Sequence, residues 1–310
     1  MTRHFLRDDD LTPVEQREVL ELALRLKAER FAERPLAGPR AVAILFDKPT
    51  LRTQLSFTVG VAELGGHPMV VDGNLARIGV RESVEDTAKV LGRQVAAVVW
   101  RTFDQSRLET MARHAGVPVV NALTDQFHPC QALADLLTIA EHAGGLDALH
   151  DRTLAYVGDG ANNMAHSYLL AGATAGMHVR IGTPFGRRPD AQVVDRAAAV
   201  AATTGGSVTV VHDAAAAVSG AEAVATDTWV SMGDATSEQE AEELFGPFRL
   251  DAELLDRAEP GAVALHCMPA YRGKEITAEV MDGPRSVVLD EAENRLHVQK
   301  AVLTWLLERP

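Results

Sequence analysis

The sequence predicts an α/β protein of two doubly wound domains, each a mostly parallel sheet flanked by helices. Three observations predict it. Short apolar runs alternate with amphipathic helical patterns along most of the chain. The first of them, AVAILF (41–46), is an unbroken apolar run, and the strand–helix alternation implies helices on both faces of a mostly parallel sheet. The chain has 310 residues, more than one hydrophobic core usually organises.

Taken in order, LTPVEQREVLELALRLKAER (11–30) carries the period of an amphipathic helix. Apolar runs at 41–46, 68–71, 95–100 and 117–120 read as the strands of a first sheet. Between them, RESVEDTAKVLGRQ (81–94) opens with Ser83 and Asp86 at the spacing of a capped helix start. HPCQALADLLTIAEHAGG (128–145) reads as a helix ending on a glycine pair, crossing from the first half to the second. A second series follows: 153–158, 178–183, 207–212, 222–227, 262–267 and 286–291 read as strands, most of them separated by helices. AENRLHVQKAVLTWLLERP closes the chain as a strong amphipathic helix. The expected domains are 1–140, joined by the C-terminal helix 291–310, and 141–290.

Bulk properties narrow the function. The composition is 46% hydrophobic and 24% charged, enough apolar surface for a packed core. No apolar run reaches membrane-spanning length, and the N-terminal stretch lacks an apolar signal core. The net charge of −13 makes nucleic acid and anionic membrane poor partners. Two cysteines, Cys130 and Cys267, cannot form a disulfide framework, so a reducing cytoplasm is the expected location.

In open parallel sheets, ligands bind beyond the carboxyl ends of the strands. The polar words of this chain, TLRT, WRT, HPCQ, GDGANN, DTWVSMG and HCMPA, fall at those places. In TLRT, Thr50, Arg52 and Thr53 stand where a helix begins. A hydroxyl there is an ordinary N-cap. With helix amides and an arginine it is equally an anion cradle, and Arg101, at the matching place one unit on, favours a phosphate-sized anion. His128 beside the start of its helix suits a neutral N–H donor, with Gln131 one turn along. GDGANN lacks the dinucleotide spacing, and Asp159 would repel a pyrophosphate. Asn162 and Asn163 serve there as caps or as partners for a carboxylate or amide. A cysteine at a strand end, such as Cys267, more often serves packing; beside His266 and Asp227 it is alternatively part of a polar cluster. The spacings of a zinc site are absent. No nucleophile–base–acid set emerges. The inventory favours transfer of an acyl group from an acyl phosphate to an amine.

These words resemble the aspartate/ornithine carbamoyltransferases, in order and over essentially the whole chain. HPCQ fits the family's HPxQ, DTWVSMG the DxxxSMG of its ornithine members, and HCMPA their HCLPA. The resemblance implies carbamoyl phosphate and L-ornithine as substrates, L-citrulline and phosphate as products, no metal or organic cofactor, and a homotrimer or a multiple of it. It implies that Thr50, Leu51, Arg52 and Thr53 hold the phosphate with their loop amides. Arg101 and His128 would donate to the carbamoyl oxygen, and the HPCQ word, with Pro129 and Cys130, would present Gln131 to the carbamoyl nitrogen. Arg295 would complete the anion site, and Arg77 would reach it from a neighbouring subunit. Asn163, Asp227, Ser231 and Met232 would grip the amino-acid head of ornithine, with Cys267 and Met268 near its δ-nitrogen. Catalysis would rest on Arg101, His128, Asp227 and Cys267. His266, Cys267 and Asp227 all remain candidates for taking the proton of the amine. Gln54 stands where the family commonly has arginine, and Arg77 where ornithine members often have glutamine. A sister enzyme acting on putrescine or acylated ornithine, and a non-catalytic regulatory homologue, are the alternatives.

Overall fold

The computed structural model describes residues 2–230 and 236–309. The chain divides into two compact units, Met1–Ala134 with Glu293–Pro310, and Asp135–Ala292. Each has its own parallel sheet.

In the first unit, helix α1 (Pro13–Ala28) starts from a reciprocal cap between Thr12 and Glu15. Strand β1 (Ala41–Phe46) leads to α2 (Arg52–Glu63), and β2 (His67–Asp72) leads through the short α3 (Gly73–Ala76) to α4 (Val84–Leu91). Ser83 caps α4 by accepting the Asp86 amide. Strand β3 (Ala97–Arg101), α5 (Gln105–Ala115) and β4 (Val119–Leu123) complete the series before α6 (Pro129–Ala143). The strand order is β2-β1-β3-β4. Strands β3 and β4 are buried throughout, as a sheet covered on both faces requires. Leu45, Val98, Trp100, Leu108 and Met111 share one core beneath it.

The second unit runs β5 (Thr153–Val157), α7 (Asn163–Thr174), β6 (His178–Gly182), α8 (Ala191–Thr204), β7 (Ser207–Val211), α9 (Ala214–Val218) and β8 (Ala223–Thr226). Then come α10 (Glu238–Phe245), α11 (Ala252–Leu255), β9 (Val263–His266) and α12 (Ala278–Met281). The order is β7-β6-β5-β8-β9, all parallel.

Both orders reverse direction once. In the first sheet β1 neighbours β2 on one side and β3 on the other; in the second, β5 neighbours β6 and β8. A crevice opens at such a reversal because successive crossovers leave on opposite faces.

One expected strand is absent. Residues 286–291 contribute only a bridge between Ser286 and Ala264, and helix α13 (Val288–Leu307) begins immediately after it. The β-branched Val287 and Val288 imitate a strand. Asp290 and Glu291, in the first helical turn, suit the positive end of a helix dipole. Among the described residues no helix is long and apolar enough to cross a membrane.

Candidate active site

At the reversal in the first sheet, the segment after β1 enters α2. The N-cap is Leu51, in helical conformation, and no side chain caps the helix. The ordinary role foreseen for a threonine hydroxyl at this place is therefore not the one adopted. The first-turn amides carry the positive end of the helix dipole without a hydroxyl acceptor over them. Leu51 itself is 73% exposed. Thr50 and Arg52 are half-buried, and Thr53 is buried.

Arg101 is the last residue of β3 and pairs in register with Phe46 of β1. The register of β3 against β4 shifts between Trp100 and Arg101. Such an irregularity re-aims the side chain that follows it. Arg101 Nη1 donates to Thr53 Oγ1 at 3.4 Å, and Arg295 Nη2, from α13, donates to the same oxygen at 2.7 Å. Two buried guanidiniums from distant parts of the sequence thus meet at the uncapped helix start. His128, directly before Pro129 of α6, is buried beside them. Burial, then the charges of Arg295 and Arg101, hold its imidazole well below its ordinary range. It is a neutral ring at physiological pH, able to donate one N–H. Gln131 is buried in the first turn of α6.

Cys130 turns away into the core, where its thiol donates to the Asn121 carbonyl at 3.5 Å and burial pushes it up to about 12. Only its backbone is suited to a ligand. Arg77 is exposed and lies at φ 48°, a left-handed conformation unusual for arginine. Its turn is pinned by buried Ile78, whose carbonyl accepts from Arg107 Nη2 at 2.6 Å.

At the reversal in the second sheet, three segments converge. Asn162 caps α7 and Asn163 is its first residue. Asp227 follows β8, and Cys267 follows β9. Asp227 Oδ1 accepts from its neighbour Thr228 N at 2.7 Å and from Cys267 Sγ at 3.2 Å; Oδ2 accepts from Asn162 Nδ2 at 3.3 Å. Burial raises the Asp227 carboxyl above its ordinary range, opposed by His266, the Thr228 amide and the Cys267 thiol. The thiol is itself pushed well up by burial and by the Asp227 and Glu291 carboxylates. Cys267 is therefore a protonated donor to Asp227 rather than a thiolate nucleophile.

The backbone beyond Cys267 is held in an uncommon shape. Met268 lies at φ 53°. Its N–H donates to His266 Nδ1 at 2.9 Å, which leaves the ring proton on Nε2, facing Glu275 Oε1 at 3.1 Å. Glu275 also accepts the Tyr271 amide at 2.6 Å. His266 and Glu275 are both buried, so this pair fixes the loop from inside.

The GDG of the preceding word has structural causes. Gly158 lies at φ 134°, and a side chain on Gly160 would come within 2.7 Å of the Arg187 carbonyl. Asp159 forms a two-pronged ion pair with Arg187. Ser231 and Met232 lie outside the described residues. Sequence reasoning missed Tyr156, Glu275 and the contact of Asn162 with Asp227. Asn162 was visible as a cap, but its partner is 65 residues away and only the strand order brings them together.

Residues 3–141 match the family model described as aspartate/ornithine carbamoyltransferase, carbamoyl-P binding domain, and residues 150–306 that of the Asp/Orn binding domain. An ornithine carbamoyltransferase of Clavibacter sepedonicus is 59% identical over 100% of both chains. One of Bifidobacterium longum is 58% identical over 98% of this chain and 95% of its own. Among solved structures, ornithine carbamoyltransferase from Pyrococcus furiosus superposes with a TM-score of 0.94 at 41% identity, covering 100% of this chain and 98% of that one. The anabolic ornithine carbamoyltransferase of Campylobacter jejuni gives 0.93 at 32%, covering 99% and 100%. With both domain models matched and relatives this similar over their full length, the chain belongs to the aspartate/ornithine carbamoyltransferase family.

Proposed function

We propose that this protein transfers the carbamoyl group of carbamoyl phosphate to the δ-amine of L-ornithine, giving L-citrulline and phosphate. The observation that carries this reading is the convergence of Arg101 and Arg295 on Thr53 at an uncapped helix start, beside a neutral His128. The full-length relatives named ornithine carbamoyltransferase support the choice of acceptor.

In the proposed mechanism, Arg52, Thr53 and the amides at 50–53 hold the phosphate together with Arg295, and Arg77 reaches it from a neighbouring subunit. Arg101 and His128 donate to the carbonyl oxygen, and Gln131 holds the carbamoyl nitrogen. Asn163, Asp227, Ser231 and Met232 hold the amino-acid head, while Cys267 and the Met268 backbone flank the δ-nitrogen. The neutral amine attacks the carbonyl carbon, a C–N bond forms, and negative charge gathers on the oxygen. Donors fixed in advance at that oxygen lower the barrier, by about 3–4 kcal/mol for one donor. The C–O bond to phosphate then breaks with its electron pair, and the proton shed by nitrogen ends on the departing hydrogen phosphate. Nothing is oxidised or reduced, so the chemistry itself calls for no redox cofactor.

A homotrimer, or a multiple of it, is the proposed assembly. The proposed setting is arginine metabolism in the cytoplasm. Incubating purified protein with carbamoyl phosphate and, in parallel, ornithine, putrescine or N-acetylornithine tests the assignment. Phosphate release fastest with ornithine, with citrulline as its product, supports it; equal or better turnover of putrescine overturns it.

A further inference from the structure

We infer that Asn162 is a positioning residue that fixes which oxygen of Asp227 faces the amino group of the substrate. The inference rests on the proposed role of Asp227 in gripping ornithine.

The Asn162 amide has no freedom to flip. Its Oδ1 accepts the Ala165 amide at 3.0 Å, as the cap of α7, so its nitrogen must point the other way. That nitrogen donates to Tyr156 Oη at 2.9 Å and to Asp227 Oδ2 at 3.3 Å, which uses both of its hydrogens. Tyr156 sits on β5, fully buried, its ring centroid 5.9 Å from that of Tyr168. The hydroxyl is therefore a rigid stop for the asparagine.

The carboxylate completes the count. Two donors, the Thr228 amide and the Cys267 thiol, occupy the lone pairs of Oδ1. Among the described residues Asn162 supplies the donor to Oδ2, leaving one lone pair there for an ammonium group. Without the Asn162 donor, Oδ2 gains a second direction of approach, and the carboxylate is held against rotation from its Oδ1 side alone.

A cap role and an Asp227 role separate cleanly by substitution. Serine caps helices as well as asparagine does, but its hydroxyl cannot span from the Ala165 amide to Asp227. Asn162→Ser should raise KM for ornithine about 10- to 100-fold, leave KM for carbamoyl phosphate within twofold, and leave Tm within about 2 °C. Asn162→Asp keeps the cap and sets a second carboxylate against Asp227. The charged and titratable groups facing Asp227 are His266, Cys267, Glu275 and Tyr156, all unchanged in this variant. The acid limb of kcat/KM for ornithine should therefore move to higher pH. Tyr156→Phe removes the stop while keeping Asn162, and should raise the same KM about 3- to 10-fold; it carries the test if the serine variant does not fold. An ornithine KM within twofold of wild type in Asn162→Ser, or a parallel rise in KM for carbamoyl phosphate, overturns the inference while wild-type citrulline formation keeps the functional reading intact. A wild-type protein that forms no citrulline overturns both.

Discussion

Replacing Arg295 with glutamine probes the first site without emptying it. Glutamine retains an N–H donor for Thr53 but removes the charge and the two-pronged geometry. Arg295 Nη2 lies 2.7 Å from Thr53 Oγ1 and Arg101 Nη1 lies 3.4 Å from it, so the two guanidinium nitrogens are no more than about 6 Å apart. A phosphate oxygen drawn to that point would meet both. Losing one charge-assisted hydrogen bond costs about 1.5–3 kcal/mol. That corresponds to a roughly 10- to 150-fold weaker grip on the phosphoryl group. The expected result is a rise of that size in Kd for inorganic phosphate by calorimetry, and in KM for carbamoyl phosphate, with Arg295→Lys between wild type and glutamine. Phosphate affinity unchanged within twofold in Arg295→Gln would refute the idea that this convergence is an anion site.

Other predictions follow from single contacts. Buried Lys300 donates to Glu63 Oε2 at 2.8 Å, and Arg30 holds the other Glu63 oxygen; Lys300→Met should cost about 2–3 kcal/mol in urea unfolding, below the usual range for breaking a buried pair because Arg30 remains. His128 is held neutral when folded but titrates near 6.5 when unfolded. The unfolded chain then binds more protons, so its contribution to stability falls as pH drops below about 6.5, and His128→Gln should flatten that part of the pH–stability curve. Cys267→Ser should keep measurable turnover, and mass spectrometry of a single turnover should find no carbamoylated Cys267. If Arg77 restores charge that Gln54 lacks, Arg77→Gln should raise KM for carbamoyl phosphate, Gln54→Arg should recover part of the loss, and the pair should be non-additive by roughly 0.5–3 kcal/mol; strict additivity removes the link.

Much of the fold was legible because apolar runs alternate with helical patterns; the inner strands are buried on both faces, whereas the edge strands β2 and β7 are partly exposed. Nine of the ten expected strands form. The tenth failed where Val287 precedes and Val288 opens a helix whose acidic first turn was the better guide. At the site, the residue types were readable, since polar words at strand ends stand out against an apolar background. Their backbone setting was not. Nothing in TLRT says that leucine, not threonine, occupies the cap position, because that depends on φ and ψ rather than on side-chain chemistry. The register shift that turns Arg101 is likewise a property of two strands, not of one. Tyr156 was hidden for a further reason: within a buried strand its ring reads as packing, and its hydroxyl gains meaning only beside Asn162.

The central claim is most directly tested by a colorimetric citrulline assay on purified protein supplied with carbamoyl phosphate and L-ornithine, run beside an Arg101→Ala variant. The wild type should give citrulline and phosphate in equal amounts, and the variant a kcat lower by roughly 10²–10³, the usual loss for one donor at a developing oxyanion. No citrulline above the blank from the folded wild type, or an Arg101→Ala kcat within about threefold of it, would mean that this site does not transfer the carbamoyl group as proposed.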